Sequence, residues 1–163
     1  MIGLNIGSLP TLIKREFKMN KENSSISEIV ERLSWDEYFI NIARAVALRS
    51  HDPSTQVGAV LVNERNHIIS TGYNGFPPNV NDAELPTTRP EKYPYMIHAE
   101  MNAMLHSEVS LKGATLYVTH SPCMECSKNI LTSGITRVVY DKTYSFEGIE
   151  FLRKFGFNIS LLN

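Results

Sequence analysis

The chain is expected to fold as an α/β protein, a three-layer α-β-α sandwich around a five-stranded mixed sheet. Three observations predict this. Apolar residues recur at helical spacing in four segments, short apolar runs of strand length occur in five others, and from residue 98 onward the two kinds alternate. A length of 163 residues suits one compact domain with its own core.

Residues 1–33 read as a peripheral, partly flexible N-terminal extension, because the polar stretch Lys18–Ser27 has little apolar surface to bury. Residues 34–163 are expected to form the folded domain. Ser34 followed by Glu37 fits a capping box, and Phe39, Ile42, Ala43, Val46 and Ala47 carry the apolar stripe of a first helix to about Arg49. His51-Asp52-Pro53 ends it, since the residue before a proline is pushed out of helical geometry. Gln56–Val62 is rich in valine and reads as a buried strand. Asn63–Asn66 is a turn and His67–Tyr73 a second strand, together an antiparallel hairpin. Gly75–Tyr95 contains five prolines and reads as a long loop.

His98–Ser107 is expected as a helix and Ala114–Thr119 as a third strand. Cys123–Ser133 is a helix opened by Pro122 and closed by Gly134, the usual asymmetry of helix ends. Arg137–Tyr140, Phe146–Phe155 and Phe157–Leu161 follow as strand, helix and strand. These strand–helix–strand units predict parallel strands with right-handed crossovers.

Apolar residues make up 42% and charged residues 20% of the chain, which points away from disordered and membrane-embedded classes. The net charge of -1 disfavours a large nucleic acid as partner, which usually meets a basic surface. Both cysteines sit in one C-x-x-C, so none is left for a structural disulfide, and a cytoplasmic location is expected. No apolar run has bilayer length. Met1–Pro10 lacks a basic start and a continuous apolar stretch, so no signal peptide is expected there.

The chemistry concentrates in His98-Ala99-Glu100 and Pro122-Cys123-Met124-Glu125-Cys126. His98, Cys123 and Cys126 are three zinc-type ligands, and three protein ligands leave one tetrahedral position open, the arrangement of catalytic zinc. Both ligand groups fall at predicted helix starts, and Cys123 and Cys126 lie one turn apart on a shared face. The partial positive charge of a helix N-terminus favours thiolate over thiol. Zinc acidifies a bound water to a pKa of around 7. Glu100 is placed to carry that water's proton to a ring nitrogen and later to departing ammonia. The H-x-E…P-C-x-x-C pattern marks zinc-dependent nucleobase deaminases. A structural zinc site lacking one visible ligand is the bland alternative, and it leaves Glu100 without a task.

Around this motif the chain carries Leu33-Ser34-Trp35, Arg49-Ser50-His51-Asp52-Pro53, Gln56-Val57-Gly58-Ala59 and Gly72-Tyr73-Asn74-Gly75-Phe76-Pro77. Tyr93-Pro94-Tyr95, the extension Met101-Asn102-Ala103, Leu116-Tyr117-Val118-Thr119 and Gly134-Ile135 complete the set. From Leu33 to Ile159 these residues resemble the deoxycytidylate (dCMP) deaminase branch of the cytidine-deaminase-like superfamily. The resemblance implies hydrolysis of dCMP to dUMP and ammonia, supplying dUMP for dTMP synthesis. It implies one zinc per subunit on His98, Cys123 and Cys126, with Glu100 as proton shuttle. It also implies that Asn74 contacts the sugar, that Tyr144 lies near the substrate, and that Ser54 and Gln56 border the phosphate. Loop and strand capping is the competing role for Ser54 and Gln56, and packing is the competing role for Tyr144.

Members of this branch are often homo-oligomers, hexamers or dimers, activated by dCTP and inhibited by dTTP through the segment after Gly75. Here that segment reads Pro78-Asn79-Val80-Asn81-Asp82-Ala83, with Asn79 where many members have glycine and Asp82 as its one acid. Control by dCTP and dTTP is therefore left open. The rival functions are deaminases of dCTP, cytidine or tRNA adenosine, and a non-catalytic zinc-binding module.

Overall fold

The computed structural model describes residues 32–162. Of the expected extension, only Arg32 and Leu33 fall inside that range. The elements run α1 (Trp35–Ala47), β1 (Gly58–Val62), β2 (Ile68–Tyr73), α2 (Ala99–Leu105), β3 (Thr115–His120), α3 (Met124–Ser133), β4 (Arg137–Lys142), α4 (Phe146–Lys154) and β5 (Asn158–Leu161). The sheet order is β2-β1-β3-β4-β5. β1 runs antiparallel to β2 and β3, while β3, β4 and β5 are mutually parallel. The mixed five-stranded sheet read from the sequence is present, with its hairpin and its parallel half in the expected places.

Strand alternation sorts the core into two layers. Val60, Val62, Tyr117 and Val139 pack with Phe39, Ile40 and Ala43 of α1. Their neighbours Ala59, Leu61, Leu116, Val118, Val138 and Tyr140 face α2, α3 and α4 on the opposite side. Each fully buried Val, Leu or Ile contributes about 1.5–3 kcal/mol relative to exposure. The capping box at Ser34 is formed: Ser34 Oγ accepts the Glu37 N–H at 3.2 Å, and Glu37 Oε2 accepts the Ser34 N–H at 2.8 Å. Two ion pairs then fasten α1 to β4. Arg137 meets the Asp36 carboxylate with both terminal nitrogens, and Arg44 does the same to Asp141 through Nε and Nη2.

Glycine lets α2 come close enough to place the motif. A Cβ on Gly72 in β2 would strike the backbone of Ala99 and Ala103 in α2. Gly72→Ala is expected to destabilise the fold by about 1–3 kcal/mol or more, because the obstacle is backbone rather than a movable side chain. Urea denaturation checks this, and an unchanged midpoint would contradict the close approach.

The long loop 75–95 is more ordered than its composition suggests. It contains single turns of 3-10 helix at Asp82–Glu84 and Tyr93–Tyr95. Its ends are joined where Gly75 and Ile97 exchange backbone hydrogen bonds of 3.1 and 2.8 Å. That bridge delivers the chain to His98. Among the described residues no helix is long and apolar enough to cross a membrane.

Candidate active site

His98 and Cys123 occupy the N-cap positions of α2 and α3, both in extended backbone geometry. Neither side chain caps its own helix, so both are free to point at a third group. His98 Nδ1 lies 3.5 Å from Cys123 Sγ and 3.4 Å from Cys126 Sγ. Bond lengths of about 2.05 Å to nitrogen and 2.3 Å to sulfur, at tetrahedral angles, place such atoms about 3.5 Å apart. The three ligand atoms all fall within 4.8 Å of one another, so this donor set fits one zinc ion.

The proton affinities fit the same picture. The hydrogen bond from Cys126 pulls the Cys123 thiol well below its ordinary value against burial, with His98 adding to the pull. The same bond pushes Cys126 up. Cys123 in turn raises the pKa of His98. Metal binding needs both sulfurs as thiolates and displaces their protons.

Glu100 is in the first turn of α2 and is only 5% exposed. Burial pushes its carboxyl above the ordinary value. A carboxyl raised in this way, beside a metal ligand set, is suited to receiving and returning a proton.

His98, Glu100 and Cys123 line one open cleft. The cleft wall includes His98, Glu100, Cys123, Asn74 and Tyr144, so the structure gathers most of the residues singled out by sequence. Asn74 is 8% exposed and its amide is heavily engaged. Its Oδ1 accepts the Val57 N–H at 2.7 Å, and its Nδ2 donates to Thr55 O at 2.9 Å and Asp52 Oδ2 at 3.2 Å. Tyr144 is 60% exposed at the cleft. Its loop is tied to the metal-ligand turn, because the backbone N–H groups of Tyr144 and Ser145 both donate to Ser121 Oγ, at 2.8 and 2.9 Å.

Ser54 and Gln56 are not among the lining residues. Ser54 Oγ accepts from Lys92 Nζ at 2.8 Å, and Gln56 Nε2 donates to Ser50 O at 2.6 Å. Both residues are exposed, and these bonds tie them to Lys92 and to the backbone of Ser50. The residues that sequence reasoning missed are Asp52, Thr55, Arg89 and Lys92, which do line the cleft. Lys92 is buried and pairs with Asp52 at 2.6 Å. The landmarks Asp52-Pro53 and Tyr93-Pro94-Tyr95 flank this pair in sequence, but nothing local signals that a lysine between them is buried.

Residues 33–142 match the family model for the cytidine and deoxycytidylate deaminase zinc-binding region. The chain belongs to that family. Deoxycytidylate deaminase of Mus musculus is 44% identical over 124 residues, covering 71% of this chain and 70% of its own length. The Homo sapiens enzyme of that name is 44% identical over 115 residues, covering 66% of this chain and 65% of its own length. The match therefore spans just under two thirds of the human relative. Among solved structures, dCMP deaminase from the cyanophage S-TIM5, in complex with dCMP and dUMP, superposes with a TM-score of 0.70 at 32% identity. That superposition covers 77% of this chain and 95% of the phage protein. Within this zinc-binding deaminase family, His98, Cys123 and Cys126 are the residues placed to hold the metal.

Proposed function

We propose that the chain hydrolyses dCMP to dUMP and ammonia. The observation that carries the reading is a single cleft that joins a three-ligand metal set, the buried Glu100 carboxyl and a polar wall built around Asn74. Its family membership, and the deoxycytidylate deaminases among its relatives, support the same reading.

A zinc ion held by His98, Cys123 and Cys126 would supply a water acidified to a pKa of around 7. The chain's own groups do the rest. Glu100 accepts a proton from the attacking water and delivers it to N3 of cytosine. The water's oxygen bonds to C4, Glu100 takes the proton remaining on that oxygen and passes it to the amine, and as the C4=O carbonyl forms the C4–N bond breaks and ammonia leaves. Burial keeps this carboxyl basic enough to take each proton and acidic enough to give it back. Asn74 Oδ1 has one lone pair beyond the bond from Val57, and it accepts from a sugar hydroxyl. Tyr144 contacts the bound nucleotide from the cleft mouth. Ser54 and Gln56 support the site through Lys92 and Ser50 rather than by touching substrate.

The proposal extends to a homo-oligomer in a reducing, cytoplasmic setting, where both thiols stay available to metal. It also includes dCTP and dTTP as effectors. Asn79 has a φ of 67°, the left-handed conformation that a glycine at that position adopts freely. Asn79 therefore meets the backbone requirement of that position. Asp82, the acid in this loop, sits 3.3 Å from His51 Nε2.

A panel of dCMP, dCTP, deoxycytidine and CMP, followed by appearance of the uracil product, tests the substrate. Turnover is expected to be fastest with dCMP. Faster turnover of deoxycytidine would refute the nucleotide reading, and faster turnover of dCTP would favour the triphosphate alternative.

A further inference from the structure

We propose that Arg89 reads the 5′-phosphate of the nucleotide and is the residue that separates a nucleoside monophosphate from the bare nucleoside. This rests on the reading of the cleft as a deoxynucleotide site. It starts from a charge imbalance on the cleft wall opposite in character to the metal ligands. Two cations, Arg89 and Lys92, line that wall. Lys92 is committed: its ammonium is 3% exposed, meets Asp52 Oδ1 at 2.6 Å and donates to Ser54 Oγ at 2.8 Å. Asp52 cancels its charge, so Lys92 contributes little net field to the cleft.

Arg89 is different. Its Nη2 donates to the neutral hydroxyl of Thr55 at 2.7 Å, and among the described residues no carboxylate lies within 4.0 Å of its guanidinium. Glu91, two residues on, accepts from Thr88 Oγ1 at 3.2 Å instead. One of the five guanidinium donors is used and four are left. A planar fork with spare donors and uncompensated charge is the group that pairs bidentately with a phosphate.

The hydrogen bond to Thr55 fixes where that fork sits. Thr55 O in turn accepts from Asn74 Nδ2 at 2.9 Å. The phosphate reader and the proposed sugar contact are therefore built on the same short loop, 52–57, which sets the distance between them. That loop is also pinned from behind, by the Asp52 contacts with Lys92 and with the backbone N–H groups of Ser54 and Thr55 at 2.7 and 3.3 Å. The arrangement is a rigid two-point clamp for a sugar phosphate, leaving the base to reach the metal and Glu100.

The test uses the full-length, zinc-loaded chain and its Arg89→Gln and Arg89→Lys variants. Binding of dUMP and deoxyuridine is measured by calorimetry, and kcat/KM is measured for dCMP and deoxycytidine. The wild type is expected to prefer the phosphorylated member of each pair. R89Q should weaken dUMP binding and dCMP kcat/KM on the order of 10- to 100-fold, the scale of a charge-assisted hydrogen-bond pair, chiefly through KM. Its handling of deoxyuridine and deoxycytidine should be unchanged, and R89K should fall between. Equal losses with and without phosphate would show a purely structural role and overturn the assignment. So would an undiminished dUMP preference in R89Q, or a wild type with no such preference. If an Arg89-dependent dUMP preference holds but dCMP is not turned over, Arg89 stands as the phosphate reader and the deamination reading fails.

Discussion

Glu100→Gln should retain zinc at the wild-type level and lose dCMP deamination on the order of 10²- to 10⁴-fold, the usual contribution of a positioned proton-transfer group. Gln matches the shape of a side chain that is 5% exposed, so the pocket and the ligands at His98, Cys123 and Cys126 have no reason to move. What the variant loses is the ability to accept a proton and return it. Zinc content by elemental analysis, together with dUMP formation, separates the two effects. Full activity in this variant would remove Glu100 from the chemistry. Loss of zinc along with activity would instead assign it to the metal site.

Asp52→Ala is expected to destabilise the chain by about 3–5 kcal/mol, the cost of leaving a buried cation without its partner. The Lys92 and Asp52 side chains are 3% and 5% exposed, so water does not replace the lost carboxylate. Asp52 also accepts from Ser54 N, Thr55 N and Asn74 Nδ2, so its removal frees three further donors. Lys92→Met should cost less, because those three donors continue to satisfy Asp52. Urea unfolding of both variants gives the ranking, and a reversed order would contradict it. The pair also sets an acid limit. Burial pushes the Asp52 carboxyl up, but Lys92 and the backbone N–H groups of Ser54 and Thr55 outweigh it and leave its pKa below the ordinary value. Its contribution is thus fully present above the unfolded value of about 3.9 and is lost as pH falls through the folded value. Stability measured at pH 7 and pH 3 should drop in the wild type by more than in Asp52→Ala.

The parts of this molecule that were legible in the sequence are those written in local spacing. The valine run of β1 and the apolar run of β3 needed only strand period, and the Ser34–Glu37 capping box needed three residues of context. The metal set was legible for the same reason: Cys123 and Cys126 are one helical turn apart, and Glu100 follows His98 by two residues at another helix start. Boundaries shifted where side chains took over backbone partners. β1 begins at Gly58 rather than Gln56, because the Val57 N–H goes to the Asn74 amide instead of a strand neighbour. The cleft's second wall was not legible at all. Lysine is ordinarily exposed, and the burial of Lys92 depends on an aspartate 40 positions away. Arg89 and Thr55 meet across 34 positions of chain that no periodicity connects. Long-range polar contacts of this kind leave no trace in residue order.

The most direct test is a zinc titration of the metal-free chain, with bound zinc and dCMP turnover measured on the same samples. A single catalytic zinc on His98, Cys123 and Cys126 predicts no dUMP without metal and a rate that rises in proportion to zinc, reaching its plateau at one ion per chain. Turnover of dCMP by the metal-free chain, or a fully zinc-loaded chain that forms no dUMP, would contradict it.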